Sequence, residues 1–75
     1  MTRDELTTEL RKAGLRRSDL VRLTGKARST VDRWGASIPV PRYVIIIIYL
    51  MRNAVSPHPE GALRLAREIA ARDAD

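Results

Sequence analysis

Several residue types are missing or scarce in this 75-residue chain, and each absence excludes a class of protein. Cysteine is absent, which excludes disulfides, thiolate zinc sites and cysteine nucleophiles. The single histidine, His58, lies between two prolines, and no second histidine could complete a metal site or a catalytic triad. No glycine-rich phosphate loop is present. We therefore expect no enzymatic activity, no metal and no cofactor.

Long apolar segments are also missing. The longest run, VIIIIYLM at residues 44–51, is far shorter than the roughly 20 residues that span a bilayer. Residues 1–10 are charged and polar, unlike a secretory signal peptide. These features predict a cytoplasmic protein with no membrane partner.

Acidic residues are outnumbered by basic ones, and the excess is concentrated in the middle of the chain. The chain holds 14 Lys and Arg against 9 Asp and Glu, for a net charge of +5. Residues 10–52 carry ten bases and two acids, whereas both ends sum to slightly negative values. One surface of a single small domain, with 44% hydrophobic and 31% charged residues, is therefore expected to meet a polyanion.

The hydrophobic spacing and the helix-ending residues predict five helices. Thr2 and Glu5 match a capping box, and Gly14, Gly25 and Gly35 are placed to end the first three helices. The predicted helices cover about residues 3–13, 17–24, 27–34, 41–53 and 60–72.

The isoleucine-rich run is the one place where local propensity and context conflict. Four consecutive isoleucines and a valine favour a strand. No second β-rich run exists to pair with such a strand, whereas a helix satisfies its own backbone groups. We therefore predict a helix whose core face holds Val44, Ile47, Ile48 and Met51.

Residues 17–36 (RSDLVRLTGKARSTVDRWGA) have the spacing of a helix-turn-helix. Leu20, Val21, Val31 and Trp34 are placed where the two helices cross, and Gly25 supplies the turn. Together with AGL at residues 13–15 and the proline-bearing loop before an apolar fourth helix, this segment resembles the λ-repressor and Cro-like helix-turn-helix family. The resemblance covers about residues 3–52. The chain differs from the family pattern at Val21, Thr24 and Ala27, where alanine, an apolar residue and a capping residue are usual.

The resemblance implies an all-α fold, a bundle of about five short helices in a single domain. Residues 1–55 would form the helix-turn-helix core. Residues 56–75 would add an amphipathic helix that packs on the core or in a dimer interface.

The resemblance also implies a DNA-binding surface. The third helix would enter the major groove and read bases with its exposed side chains, namely Arg28, Ser29, Arg33 and, as lesser candidates, Thr30 and Asp32. Arginine suits this task because its planar fork can donate two hydrogen bonds to guanine. Asp32 would orient a neighbouring arginine or simply balance charge. Phosphate contacts are expected from Arg16, Arg17, Lys26, Ser37 and Arg42.

Apolar residues on the outer side of the fourth helix are expected to be buried against another surface. Trp34 is expected in the core, whereas Tyr49 shares the outward side with Ile45 and Ile46. One interpretation is a homodimer interface of Ile45, Ile46, Tyr49, Leu65 and Ile69 that spaces two recognition helices about one DNA turn apart. The other is that the fifth helix covers these residues within one chain.

The sequence therefore predicts a sequence-specific double-stranded DNA-binding regulator, a repressor that binds a palindromic operator as a homodimer. By analogy it is similar to the small regulators of phages and mobile elements, including anti-CRISPR-associated regulators and antitoxins, which act at the nucleoid of a bacterial or phage-infected cell. No small-molecule ligand is evident. The alternative is a helical protein-interaction module that docks a partner through the apolar fourth helix, with DNA binding secondary.

Overall fold

The computed structural model describes residues 1–73, which form five α-helices and no strand. The helices are α1 (Arg3–Lys12), α2 (Arg17–Thr24), α3 (Arg28–Arg33), α4 (Arg42–Arg52) and α5 (Pro59–Asp73). Each predicted helix is present with ends that agree to within one residue, so the all-α prediction is confirmed. The chain divides into a first unit, Met1–Val40, and a second unit, Pro41–Asp75.

Helix α1 begins and ends on local signals that the sequence carries. The Thr2 N–H donates to Glu5 Oε1 at 2.9 Å, and the Glu5 N–H donates to Thr2 Oγ1 at 3.1 Å, which completes the predicted capping box. This hydrogen bond from the Thr2 backbone lowers the pKa of Glu5, because it favours the carboxylate form. At the other end, Gly14 takes the left-handed conformation that ends the helix.

The buried side chains of the first unit come from all three of its helices and the residues that flank them. They are Leu6, Leu10, Leu15, Leu20, Val31 and Trp34. Trp34 is 1% exposed, which confirms its predicted place in the core. Val21 stands where the family pattern has the smaller alanine, and it is only half-buried. Its side chain reaches the surface instead of filling the helix crossing as predicted.

A tight turn follows α3. The Gly35 N–H donates to the Ile38 carbonyl at 2.8 Å, and the Ile38 N–H donates to the Arg33 carbonyl at 3.2 Å. Gly35 has φ +87°, and its Cα lies against the backbone of Thr2 and Arg3. The turn therefore brings the start of α1 against the end of α3.

The isoleucine-rich run forms α4, and α4 and α5 pack on each other in the second unit. The buried side chains are Val44, Ile47, Ile48, Leu50, Ala62 and Ala66. The small residues Ala62 and Ala66 are one turn apart, which lets a neighbouring element approach α5 closely. The prediction of Met51 as a core residue was wrong, because Met51 is half-buried and Leu50 is buried instead. The Leu50 carbonyl accepts N–H groups from Val55 and Ser56, so the chain leaving α4 folds back beside Leu50.

The end of α4 stores backbone strain at Ala54. The Val55 N–H bonds to the Leu50 carbonyl at 3.0 Å and the Ala54 N–H to the Met51 carbonyl at 3.3 Å, the pattern of a Schellman motif. Ala54 has φ +55° at the position that usually holds glycine. Gly14 occupies the equivalent position after α1, where the Leu15 N–H bonds to the Leu10 carbonyl.

Replacing Ala54 with glycine is expected to stabilise the second unit. Relief of the left-handed strain is worth about 1–2 kcal/mol, and the greater freedom of glycine in the unfolded chain offsets about 0.5–1 kcal/mol of it. The free energy of unfolding should rise by about 0.5–1 kcal/mol in denaturant titrations followed by circular dichroism. The control Ala71→Gly, at an exposed position inside α5, should instead lose about 1 kcal/mol. A loss at both positions would contradict the strain at Ala54.

Candidate nucleic-acid interface

Helices α2 and α3 are joined by a three-residue turn, Gly25 to Ala27, that is closed by hydrogen bonds at the end of α2. Gly25 has φ +71°, and its N–H donates to the Val21 carbonyl at 3.0 Å. The Thr24 hydroxyl donates to the Leu20 carbonyl at 2.7 Å and accepts the Lys26 N–H at 3.2 Å. Thr24 therefore has a structural role. Its hydroxyl closes the last turn of α2 and fixes the start of the turn that leads to α3.

Helix α3 presents most of the predicted base-reading side chains on one exposed face. Arg28, Ser29 and Arg33 are exposed, and they occupy neighbouring positions around the helix. Val31 points to the core and is fully buried. Thr30 is half-buried, and it is therefore less accessible than the other three.

Arg28 is paired along the helix with the acid four residues later. Arg28 Nε donates to Asp32 Oδ1 at 3.4 Å, and the two side chains are 63% and 40% exposed. Of the two roles predicted for Asp32, this contact favours orientation of a neighbouring arginine. The pair is too exposed to add much stability, since such pairs contribute about 0–1 kcal/mol.

Arg17 has contacts that distinguish it from the other predicted phosphate ligands. Its Nη1 donates to the Val31 carbonyl at 3.1 Å, and its Nη2 donates to the Arg3 carbonyl at 3.1 Å and to the Thr7 hydroxyl at 3.0 Å. Burial lowers the pKa of the Arg17 guanidinium, and the positive charge of Arg3 acts in the same direction. Arg17 therefore links α2 to α1 and α3, and its guanidinium is directed into the first unit.

This difference predicts unequal losses of stability when two adjacent arginines are replaced. Arg17→Ala should lower the free energy of unfolding by about 1–2 kcal/mol, because three charge-assisted hydrogen bonds are lost at a partly exposed site. Arg16→Ala should change it by less than about 0.5 kcal/mol, because the Arg16 side chain is exposed. Denaturant titrations that follow the fluorescence of Trp34, the single tryptophan, measure both values. Equal destabilisation by the two variants would contradict the structural role of Arg17.

The remaining predicted phosphate ligands are all exposed. Arg16, Lys26 and Ser37 belong to the first unit, and Arg42 begins α4 in the second unit. Arg16 lines an open groove of about 520 Å³ between the end of α1 and the start of α2, and Arg11 lines the same groove. Sequence reasoning missed Arg11, because its place in the last turn of α1 says nothing about which helix lies beside it.

The predicted dimer residues differ in exposure. Ile45 is 41% exposed and Tyr49 is 62% exposed, whereas Ile46, Leu65 and Ile69 are half-buried. Helix α5 packs on α4 but leaves Ile45 and Tyr49 uncovered, so the interpretation that α5 hides these residues within one chain was wrong for this pair. The outer face of α4, defined by Ile45 and Tyr49, is an exposed apolar surface.

Tyr43, the other tyrosine of α4, is engaged within the second unit. The guanidinium carbon of Arg67 lies 5.7 Å from the centre of the Tyr43 ring, a cation–π contact between α5 and α4. Tyr43 therefore helps to hold α4 and α5 together.

Comparison with known proteins finds no relative of this chain. No protein-family model, no curated protein and no solved structure matches it. Within residues 1–73 no helix is long and apolar enough to cross a membrane. The same part of the chain brings together no group of three acidic or histidine side chains that could hold a metal ion.

Proposed function

We propose that this protein is a sequence-specific double-stranded DNA-binding regulator, a repressor that binds its operator through α3. The observation that carries the proposal is the exposed face of α3, where Arg28, Ser29 and Arg33 stand side by side on a helix held by a glycine turn. Arginine can donate two parallel hydrogen bonds to guanine O6 and N7 in the major groove, and serine can bond to several bases. Such a protein would act without catalysis, in the cytoplasm of a bacterial or phage-infected cell.

The basic residues of the first unit support the same proposal. Arg11 is exposed on α1, Arg16 is exposed just before α2, and Lys26 is exposed in the turn before α3. Cations placed around a recognition helix bind phosphates, which sets the register of the protein on the duplex without reading sequence. Each such contact releases condensed counterions, so the affinity should fall steeply as salt rises. Arg17 is left out of this set because its guanidinium is bonded within the first unit.

Selection of bound sequences from a random duplex library, followed by binding titrations, tests the proposal. The wild-type protein should enrich a defined sequence, and Arg28→Ala should lower affinity for it by about 1–3 kcal/mol, or roughly 5- to 150-fold. Arg28→Lys keeps the charge but loses the planar fork. It should therefore bind random DNA as the wild type does, without the sequence preference.

Arg64→Ala is the matched control, because Arg64 is an exposed arginine on α5, outside the helix-turn-helix. It removes the same charge and should leave the enriched sequence unchanged. Absence of binding to any duplex at low salt would contradict the proposed function. Uniform weakening by Arg28→Ala on operator and random DNA would reduce Arg28 to a phosphate contact.

We also propose that the regulator is a homodimer that pairs through the outer face of α4. The exposed Ile45 and Tyr49 support this proposal, with Ile46, Leu65 and Ile69 as flanking contacts. A two-fold dimer presents two copies of one recognition helix, which matches a palindromic operator. This mode of action is proposed by analogy with the small regulators of phages and mobile elements, including anti-CRISPR-associated regulators and antitoxins.

The same apolar surface supports a second candidate function. If the outer face of α4 docks a different protein, the chain is a helical interaction module and DNA binding is secondary. Equilibrium sedimentation separates the two, because the homodimer predicts self-association at micromolar concentration in the absence of any partner. A monomer that binds no duplex would favour the interaction module.

A further inference from the structure

An acidic side chain lies within the exposed face of α3 that we propose reads DNA. Asp32 is one turn after Arg28, and its Oδ1 lies 3.4 Å from Arg28 Nε. Asp32 is 40% exposed and is one of only two acids among residues 10–52. A carboxylate on a surface that meets phosphates repels them, so its place there requires an explanation beyond general affinity.

The atoms in contact indicate what Asp32 does to Arg28. A guanidinium can meet guanine with its Nη1 and Nη2 groups or with Nε and one Nη group, and only two parallel donors reach O6 and N7 together. Because Asp32 holds Nε, the Nη1 and Nη2 pair is the fork left to face a base. The contact also restricts the rotation of a long, exposed side chain before DNA arrives, which lowers the entropic cost of the ordered complex.

The Asp32 carboxylate also affects a second arginine, Arg17. It acts electrostatically on Arg17, and it favours the charged form of that guanidinium. Arg17 is held by the carbonyls of Val31 and Arg3, so its charge occupies a fixed position in the first unit. Asp32 therefore acts on two arginines, a fixed one that belongs to the fold and an exposed one that belongs to the proposed interface.

We propose that Asp32 is a positioning residue that determines specificity: it commits the Nη1 and Nη2 fork of Arg28 to one guanine in each half-site and repels phosphates that would otherwise hold α3 on random DNA. The inference rests on the proposed function. It predicts that loss of Asp32 moves operator binding and random binding in opposite directions.

Three substitutions at position 32 test this role against the wild type. Asp32→Ala should lower operator affinity about tenfold and raise affinity for random duplex roughly two- to threefold, with loss of the enriched guanine at one position. Asp32→Asn keeps a weaker acceptor for Nε and should be intermediate. Asp32→Glu keeps the charge at the same helical spacing and should restore much of the guanine preference.

Glu68→Gln is the matched control, since it removes one negative charge from an exposed site on α5. It should leave the operator sequence unchanged. In an Arg28→Ala background, Asp32→Ala should no longer alter the base preference, because the residue acts through Arg28. Melting temperatures of all variants at position 32 should stay within a few degrees of wild type, because an exposed ion pair adds little stability.

Two other outcomes would overturn the inference, and a third would overturn the proposed function. Retention of the guanine preference in Asp32→Ala would overturn the inference while leaving the proposed function intact. A parallel fall in operator affinity, random affinity and melting temperature would show a purely structural role and would also overturn it. Failure of the wild-type protein to bind any duplex would instead overturn the proposed function, and with it the premise of this inference.

Discussion

Gly35→Ala is expected to unfold the first unit, or to leave it only marginally stable. A Cβ atom at position 35 would lie 2.5 Å from the Arg3 backbone nitrogen and 2.6 Å from the Thr2 carbonyl carbon. These neighbours are main-chain atoms at the start of α1, so no side-chain rotation can make room. Overpacking costs about 1–3 kcal/mol and a left-handed φ costs about 1–2 kcal/mol more for alanine. A loss of about 3 kcal/mol or more is a large part of the roughly 5–15 kcal/mol that stabilises a domain.

Gly25→Ala isolates the second of these costs. Gly25 also has a left-handed φ of +71°, but a Cβ there would meet nothing within 4 Å. This variant should therefore lose only about 1–2 kcal/mol. Thermal unfolding followed by Trp34 fluorescence compares the two, since a loss of 1 kcal/mol lowers the melting temperature of a chain this size by roughly 4–8 °C. Equal melting temperatures for the two variants would contradict the close approach at Gly35.

The contrast between these glycines marks the limit of prediction from sequence. Both were predicted as helix-ending residues, because glycine after a helical pattern is a local signal. The contact that makes Gly35 different is with Thr2 and Arg3, which are far away in the chain. Local signals therefore determine where α1 to α5 begin and end, but they carry no information about which backbone segments approach each other.

The same distinction applies to the candidate interface. Helical spacing alone places Ser29 and Arg33 on the side opposite Val31 and Arg28 at the flank of Val31, and that prediction needs no tertiary contact. Arg16 and Arg17 look alike in the sequence, and what separates them is the set of acceptors that Arg17 meets in the fold, the Val31 and Arg3 carbonyls and the Thr7 hydroxyl. The helical state of α4 is an intermediate case. Its isoleucines favour a strand locally, and the absence of a partner strand decided the prediction correctly.

Ile45→Glu is expected to dissociate the proposed homodimer and to lower operator affinity by about 100-fold or more. In a two-fold interface the substituted residue occurs in both subunits, so two charges would be buried without partners. A monomer also loses the gain from binding two linked half-sites, which is worth roughly 10²–10⁴ in affinity. Binding to a duplex that holds only one half-site should be unchanged, because α3 belongs to the first unit and the substitution to the second.

Fold stability provides the internal check on this prediction. Ile45 is 41% exposed and glutamate is a good helix former, so the monomer should keep its helical content. Ile48→Glu, at a residue 3% exposed in the same helix, should instead unfold the second unit. Val55→Glu is the surface control, because Val55 is 59% exposed and lies beyond the end of α4. It should leave both the dimer and operator affinity unchanged.

Equilibrium sedimentation and the concentration dependence of melting decide the outcome. A homodimer melts at a higher temperature as protein concentration rises, and Ile45→Glu should remove that dependence. If the wild-type protein is a monomer at micromolar concentration, or if Ile45→Glu remains a dimer, the outer face of α4 is not the dimer interface. The exposed Ile45 and Tyr49 would then be explained by a different protein partner, and one chain would have to read the operator through a single copy of α3.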